Sequence, residues 1–134
     1  MDTLTKIQRS YCMSKIRSKN TAPERKIRKI LTDQGVKYRL HEKKLPGKPD
    51  IVLSKIRKII FINGCFWHQH KDCKRQSMPK SNRQYWVKKL KRNVQKQKED
   101  IKKLKKMGWS PYIIWECQTK NERFINQKLR KILL

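Results

Sequence analysis

Two short runs of almost unbroken apolar residues, Asp50–Leu53 in "KPDIVLS" and Ile59–Ile62 in "RKIIFING", interrupt a chain otherwise crowded with lysine. A strand exposed on one side alternates apolar and polar residues. One that is apolar throughout must be covered on both faces. These two runs are expected to be strands joined by a basic turn and buried inside a sheet, so the other elements must supply a layer on each side.

Those layers are legible in the flanking sequence. "NTAPERKIRKILTDQG" predicts a helix capped by Asn20 or Thr21, with Pro23 in its first turn, Ile27, Ile30 and Leu31 as its apolar stripe, and Gly35 as its stop. "VKYRL" reads as a short strand. From Asn82 to Gly108 a long amphipathic helix repeats Trp86, Leu90, Val94, Ile101 and Leu104 at helical spacing. "PYIIWEC" predicts a last strand and "NERFINQKLRKILL" a closing helix. The expected fold class is α/β, a sheet flanked by helices. One domain is expected over residues 21–134, preceded by a basic arm over 1–20 that becomes ordered on a partner.

Lys plus Arg is 37 and Asp plus Glu is 10, a formal net charge of +27. So much like charge calls for a polyanion, and nucleic acid is the natural one. An anionic membrane is the competitor, but no apolar run approaches the roughly 18 residues of a spanning helix, and "MDTLTKIQRSYCMSK" lacks the hydrophobic centre of a secretory signal. A cytoplasmic, reducing compartment is expected, where Cys12, Cys65, Cys73 and Cys117 are thiols or metal ligands rather than disulfides.

The chemistry concentrates in "NGCFWHQHKDC". Cys65, His68, His70 and Cys73 fall within nine residues, and thiolate plus imidazole suits tetrahedral zinc. Cys117 is a distant further thiol, either a small buried hydrophobe or a ligand that displaces one histidine from the shell; spacing leaves open which histidine that is. A spare histidine could deprotonate a water. Asp50 follows a Gly-Lys-Pro turn at the mouth of a buried strand, where it is a turn aspartate or a magnesium ligand. Glu24 is explained by a Thr21-x-x-Glu24 capping box, yet a glutamate there could also point into a site. Phe66 and Trp67 are adjacent aromatics suited to a wedge that enters a base stack. Trp86 belongs to the same surface or to the core.

Taken together, "SYCMSKIRSKNTAPERKIRKIL", "KLPGKPDIV", "FINGCFWHQHKDC" and "IIWEC" resemble the very-short-patch repair (Vsr) DNA mismatch endonucleases, over roughly Arg9 to Cys117. The resemblance implies a restriction-endonuclease-like core, a mixed sheet with a structural zinc site. It implies nicking of the thymine strand at T:G mismatches left by deamination of 5-methylcytosine. By motif, Asp50 and the backbone carbonyl of Ile62 match the magnesium (Mg2+) site, His68 the histidine that activates water, and Glu24 a supporting acid. Cys65, His70, Cys73 and Cys117 match the structural zinc (Zn2+) set. Phe66, Trp67 and Trp86 match the aromatics that pry open the duplex, and Met13 a minor-groove contact of the arm. Asn63 departs from the family, which often carries another polar residue there, including histidine. The implied partners are double-stranded DNA with a T:G mismatch, mismatch-repair proteins and a repair DNA polymerase, for a protein acting as a monomer. Two alternatives stand beside this: a zinc-stapled basic nucleic-acid-binding protein without catalysis, and a restriction-like nuclease on matched DNA.

Overall fold

A computed structural model describes residues 21–65, 68, 70 and 81–134. The expectations for the arm, Met13 included, and for Phe66, Trp67 and Cys73 lie outside the described residues.

Helix α1 spans Ala22–Asp33 and starts where its signals place it. Thr21 is extended, and its Oγ1 accepts the Glu24 N–H at 3.5 Å. At the other end Gly35 adopts φ +72°, letting the Val36 N–H reach the Leu31 carbonyl at 2.9 Å. The stretch "VKYRL" yields only a two-residue strand, β1 (Arg39–Leu40), though Val36 and Tyr38 still pack against the core. Strand β2 (Ile51–Leu53) pairs antiparallel with β1 and with β3 (Lys58–Asn63), which a 3₁₀ turn over Ser54–Ile56 and a left-handed Arg57 connect.

Helix α2 (Arg83–Lys106) returns the chain across the sheet, so that β4 (Ser110–Trp115) lies parallel to β3, from Lys58 opposite Ser110 to Asn63 opposite Trp115. Its 24 residues extend about 36 Å. Gly108, at φ +91°, ends it. Arg57 donates to the Met107 carbonyl at 2.9 Å and lies over the Trp109 ring, placing a cation at the negative end of the helix. A second 3₁₀ turn, Glu116–Lys120, takes the last two residues of the expected strand and leads into α3 (Glu122–Leu133), capped by the Asn121 side chain.

The result is a mixed four-stranded sheet, order β1-β2-β3-β4, between helices. Strand alternation sends Ile51, Leu53, Ile60 and Ile114 to one face, where Ile27 and Leu31 of α1 and Ile125, Leu129 and Ile132 of α3 cover them. Val52, Ile59 and Phe61 point to the other face, against Leu104 and Ile101 of α2. The two apolar runs are thus buried on both sides, as their composition requires. Among the described residues no helix is long and apolar enough to cross a membrane.

The turn before β2 is tightly specified. Gly47 has φ +78°, and a Cβ there would lie 3.1 Å from Asp100 Cβ and 3.1 Å from the Phe61 ring. Gly47→Ala is expected to cost roughly 1–3 kcal/mol, from the left-handed backbone and from overpacking. Urea unfolding should show a lower midpoint with an unchanged slope, whereas Gly35→Ala, with open space around it, should lose only the backbone part.

Candidate active site

Three elements bring two acids and a histidine to one place at the mouth of the sheet. The turn holding Gly47 and the left-handed Lys48 (φ +46°) delivers Asp50 just before β2. Its Oδ2 accepts the backbone N–H of Ile62 on β3 at 2.7 Å. The first turn of α1 supplies Glu24, only 7% exposed, whose carboxylate shares a hydrogen bond with Asp50. At the end of β1, His41 lies opposite Asp50, its N–H bonded to the Asp50 carbonyl at 3.2 Å, and its Nε2 is 3.4 Å from Glu24 Oε2. One oxygen or nitrogen from each of Glu24, His41 and Asp50 lies within 4.8 Å of the others.

The Asp50 carboxyl is raised to about 7, chiefly by burial; the Ile62 N–H opposes the shift and the neighbouring Glu24 carboxylate adds to it. Two carboxylates this close disfavour their joint ionisation unless a cation lies between them. Hard oxygen donors at the edge of a cleft suit a divalent ion such as magnesium.

That cleft, about 900 Å³, is lined by Glu24, Asp50, Ile62, Asn63 and His68. Lys43, Lys48 and Lys96 also line it, giving the acid centre a cationic rim suited to a polyanion. Asp100 sits deep in it at 6% exposure, paired with Lys96 at 3.0 Å. Asn63 and Gln97 exchange two hydrogen bonds of 2.8 Å, tying the end of β3 to α2.

Beyond the carboxyl ends of β3 and β4 a second cluster forms. Cys65 Sγ lies 3.7 Å from His70 Nδ1, and Cys117 Sγ lies 3.4 Å from the same nitrogen. A tetrahedral zinc with bonds of about 2.3 Å to sulfur and about 2.05 Å to nitrogen separates those donors by about 3.6 Å. The donor chemistry and spacing fit zinc. The Cys117 N–H also points at Cys65 Sγ at 3.4 Å. His70 stacks on Trp115 with centroids 4.1 Å apart, and His68 meets the same ring edge-on at 6.5 Å. His70 thus joins the thiols while His68 opens into the cleft, the division of the two histidines that spacing left open.

Residues 1–75 match the family model for DNA mismatch endonuclease Vsr. A type II nicking enzyme of Neisseria meningitidis, V.NmeAIP, is 40% identical over 132 residues, 98% of this chain and 94% of that protein. The chain belongs to the Vsr family. A second nicking enzyme, V.XorIIP of Xanthomonas oryzae, is 39% identical across 98% of this chain and 96% of its own length. The DNA mismatch endonuclease Vsr of Escherichia coli is 38% identical over 116 residues, 87% of this chain and 74% of that protein. Membership makes the chain a DNA endonuclease, a hydrolase of mismatch repair. The likeness to the nicking enzymes covers nearly the whole chain, so it runs on past Asn121 into α3, where the motifs alone fade.

Of the residues singled out by the Vsr motifs, Asp50, Glu24, Ile62 and His68 share one cleft, and Cys65, His70 and Cys117 share one knot. Trp86 does not stand exposed. It is 1% accessible, edge-on to Tyr85 with Lys89 over its ring, so in the free chain it belongs to the core that helical spacing also allowed. His41 and the Asn63–Gln97 pair are additions. His41 could have been suspected as one of only three histidines, ahead of "KLPGKPD", but its place depends on the pairing of Leu40 with Ile51.

The Asp50 shift has a consequence for stability. Because its carboxyl is raised in the fold, it contributes stability that is fully present below the ordinary 3.8 and lost as pH rises through about 7. Between pH 5 and pH 8, magnesium-depleted protein should lose a few kcal/mol that Asp50→Asn does not lose. Paired denaturant melts of the two proteins at each pH isolate the difference from every other titrating group.

Proposed function

We propose that this protein is a magnesium-dependent, strand-specific endonuclease that nicks the thymine strand at T:G mismatches arising from 5-methylcytosine deamination, in very short patch repair. The observation that carries the reading is that the Asp50–Glu24 pair and His68 line a single lysine-rimmed cleft in a chain of net charge +27. The sheet with one acid at the mouth of a strand and another at a helix start is read as a restriction-endonuclease-like core.

In this reading Asp50, Glu24 and the Ile62 carbonyl would hold magnesium. When bound, the ion neutralises charge developing on the phosphoryl and leaving oxygens. His68 takes a proton from the attacking water, a role suited to the ring nitrogen of an imidazole. Lys43, Lys48 and Lys96 hold the phosphates on either side of the broken bond, so affinity falls steeply with salt. Asn63 and Gln97 fix the end of β3 and with it the Ile62 carbonyl. Cys65, His70, Cys73 and Cys117 hold structural zinc, which orders the loop that carries His68 and, in sequence, Phe66 and Trp67. These aromatics would enter the stack beside a mismatch, which opens at lower cost than a matched pair. A nick so placed is taken up by mismatch-repair proteins and a DNA polymerase.

A gel assay on labelled duplexes separates this from its rivals. The wild type with magnesium should cut the thymine strand of a T:G duplex and spare the matched control. Equal cutting of both would identify a restriction-like nuclease. Asp50→Ala and His68→Ala should bind the duplex with near-wild-type affinity yet lose at least about 100-fold in rate, the lower range for a general base. No cutting of either duplex by the wild type would leave only a cationic binder, and full activity in both variants would move the chemistry off Asp50 and His68.

Zinc makes a separate prediction. Cys117→Ser should lower bound zinc by about one ion per chain in atomic absorption, and should cost a few kcal/mol of stability, as loss of a structural metal does.

A further inference from the structure

His41 is the one histidine that neither the knot nor the water-activating role uses. Its ring is mostly buried, and among the described residues its Nε2 has no hydrogen-bond partner. That nitrogen faces Glu24 Oε2 at 3.4 Å, and a nitrogen of the same ring lies within 4.8 Å of an Asp50 carboxylate oxygen. A buried ring nitrogen facing a buried carboxylate, with a second, half-buried carboxylate close by, is costly unless something joins them.

The backbone takes some trouble to put it there. His41 closes β1 in a left-handed conformation, φ +48°, which non-glycine residues adopt only at a cost. Its N–H is bonded to the Asp50 carbonyl, so ladder pairing fixes the ring beside the Asp50 side chain. Glu24 arrives from α1, on the other side. Three rigid elements therefore deliver one nitrogen and two carboxylate oxygens to one point, all within 4.8 Å of one another.

We propose that His41 is a third side-chain ligand of the divalent-metal site, beside Asp50 and Glu24, and that it biases the site toward Mn2+ over Mg2+. Magnesium demands oxygen ligands and parts reluctantly with its water. First-row transition ions accept imidazole nitrogen readily, so a nitrogen beside two carboxylates raises their affinity relative to magnesium. The inference rests on the assignment of Asp50 to the catalytic metal.

The test uses full-length, zinc-loaded protein, so that His70 is already occupied. Mn2+ binding is followed by loss of the free-ion EPR signal, with Mg2+ as competitor, and the bound ion's ligands by pulsed EPR. Mn2+ should bind more tightly than Mg2+ and show ¹⁴N coupling, which ¹⁵N-histidine labelling converts to the ¹⁵N pattern. The coupling should persist in His68→Ala and vanish in His41→Gln, with Mn2+ affinity reduced at least about tenfold, the lower end of what losing even an outer-shell partner costs. Mg2+ affinity should change little. Bound Mn2+ without nitrogen coupling in the wild type, or coupling that survives His41→Gln, overturns the proposal without recourse to a variant's activity. Asp50→Ala tells the two readings apart. If it abolishes Mn2+ binding while His41→Gln leaves coupling intact, only the role of His41 fails. If Mn2+ binding is undiminished in Asp50→Ala, the metal assignment itself falls.

Discussion

Asp50 is a half-buried carboxylate at the edge of the cleft, placed beside the buried carboxylate of Glu24 and held by the Ile62 N–H at 2.7 Å. Left to itself, such a pair opposes folding at neutral pH, because each group raises the cost of ionising the other. The architecture around it keeps the pair in place. The left-handed turn at Gly47 and Lys48 fixes where β2 begins, Asp100 and Phe61 pack against that turn, and the β2–β3 ladder fixes the Ile62 amide. A hydrogen bond of this kind to a charged acceptor is stronger than a neutral one. It orients the carboxylate without removing the demand for a cation. The strain is concentrated where chemistry is needed and is over-determined by packing elsewhere.

The fold was largely legible because its determinants are local. Ile51–Leu53 and Ile59–Ile62 can satisfy their composition only inside a covered sheet, and Thr21, Gly35 and Gly108 mark helix ends by mechanisms that need no distant partner. Where local signals gave way, a tertiary contact decided. "VKYRL" has the composition of a strand, yet only two residues find β2. The last residues of "PYIIWEC" leave the sheet because the Trp115 N–H bonds the Gln118 side chain and the chain tightens into a 3₁₀ turn.

The site divides in the same way. Asp50, Glu24 and His68 announce themselves by residue type and motif, and the cleft gathers them. His41 does not, because nothing near it in sequence says that Leu40 will pair with Ile51 and set the imidazole opposite Asp50. Asn63 and Gln97 are 34 residues apart and join only when α2 crosses β3. Trp86 shows the reverse difficulty. Helical spacing places it on the apolar stripe, a resemblance places it on the nucleic-acid surface, and its burial in the free chain means that any stacking role requires it to leave the core first.

Trp115 explains why the thiol–imidazole knot and the cleft are parts of one device. It ends β4 in register with Asn63, the residue that ends β3. One face of its ring carries His70, which reaches both thiols, while its edge meets His68 at the cleft. The backbone of the same strand leads directly into Glu116, a cleft residue that accepts the Cys65 N–H, and Cys117, a member of the knot. The hydrophobic clusters on the two faces of the sheet draw on α1, α2 and α3 and include none of these side chains. Loosening the knot would therefore displace His68 through Trp115 while leaving the sheet and its helices packed. The knot's physical role is to set the position of one imidazole against carboxylates that the sheet already holds.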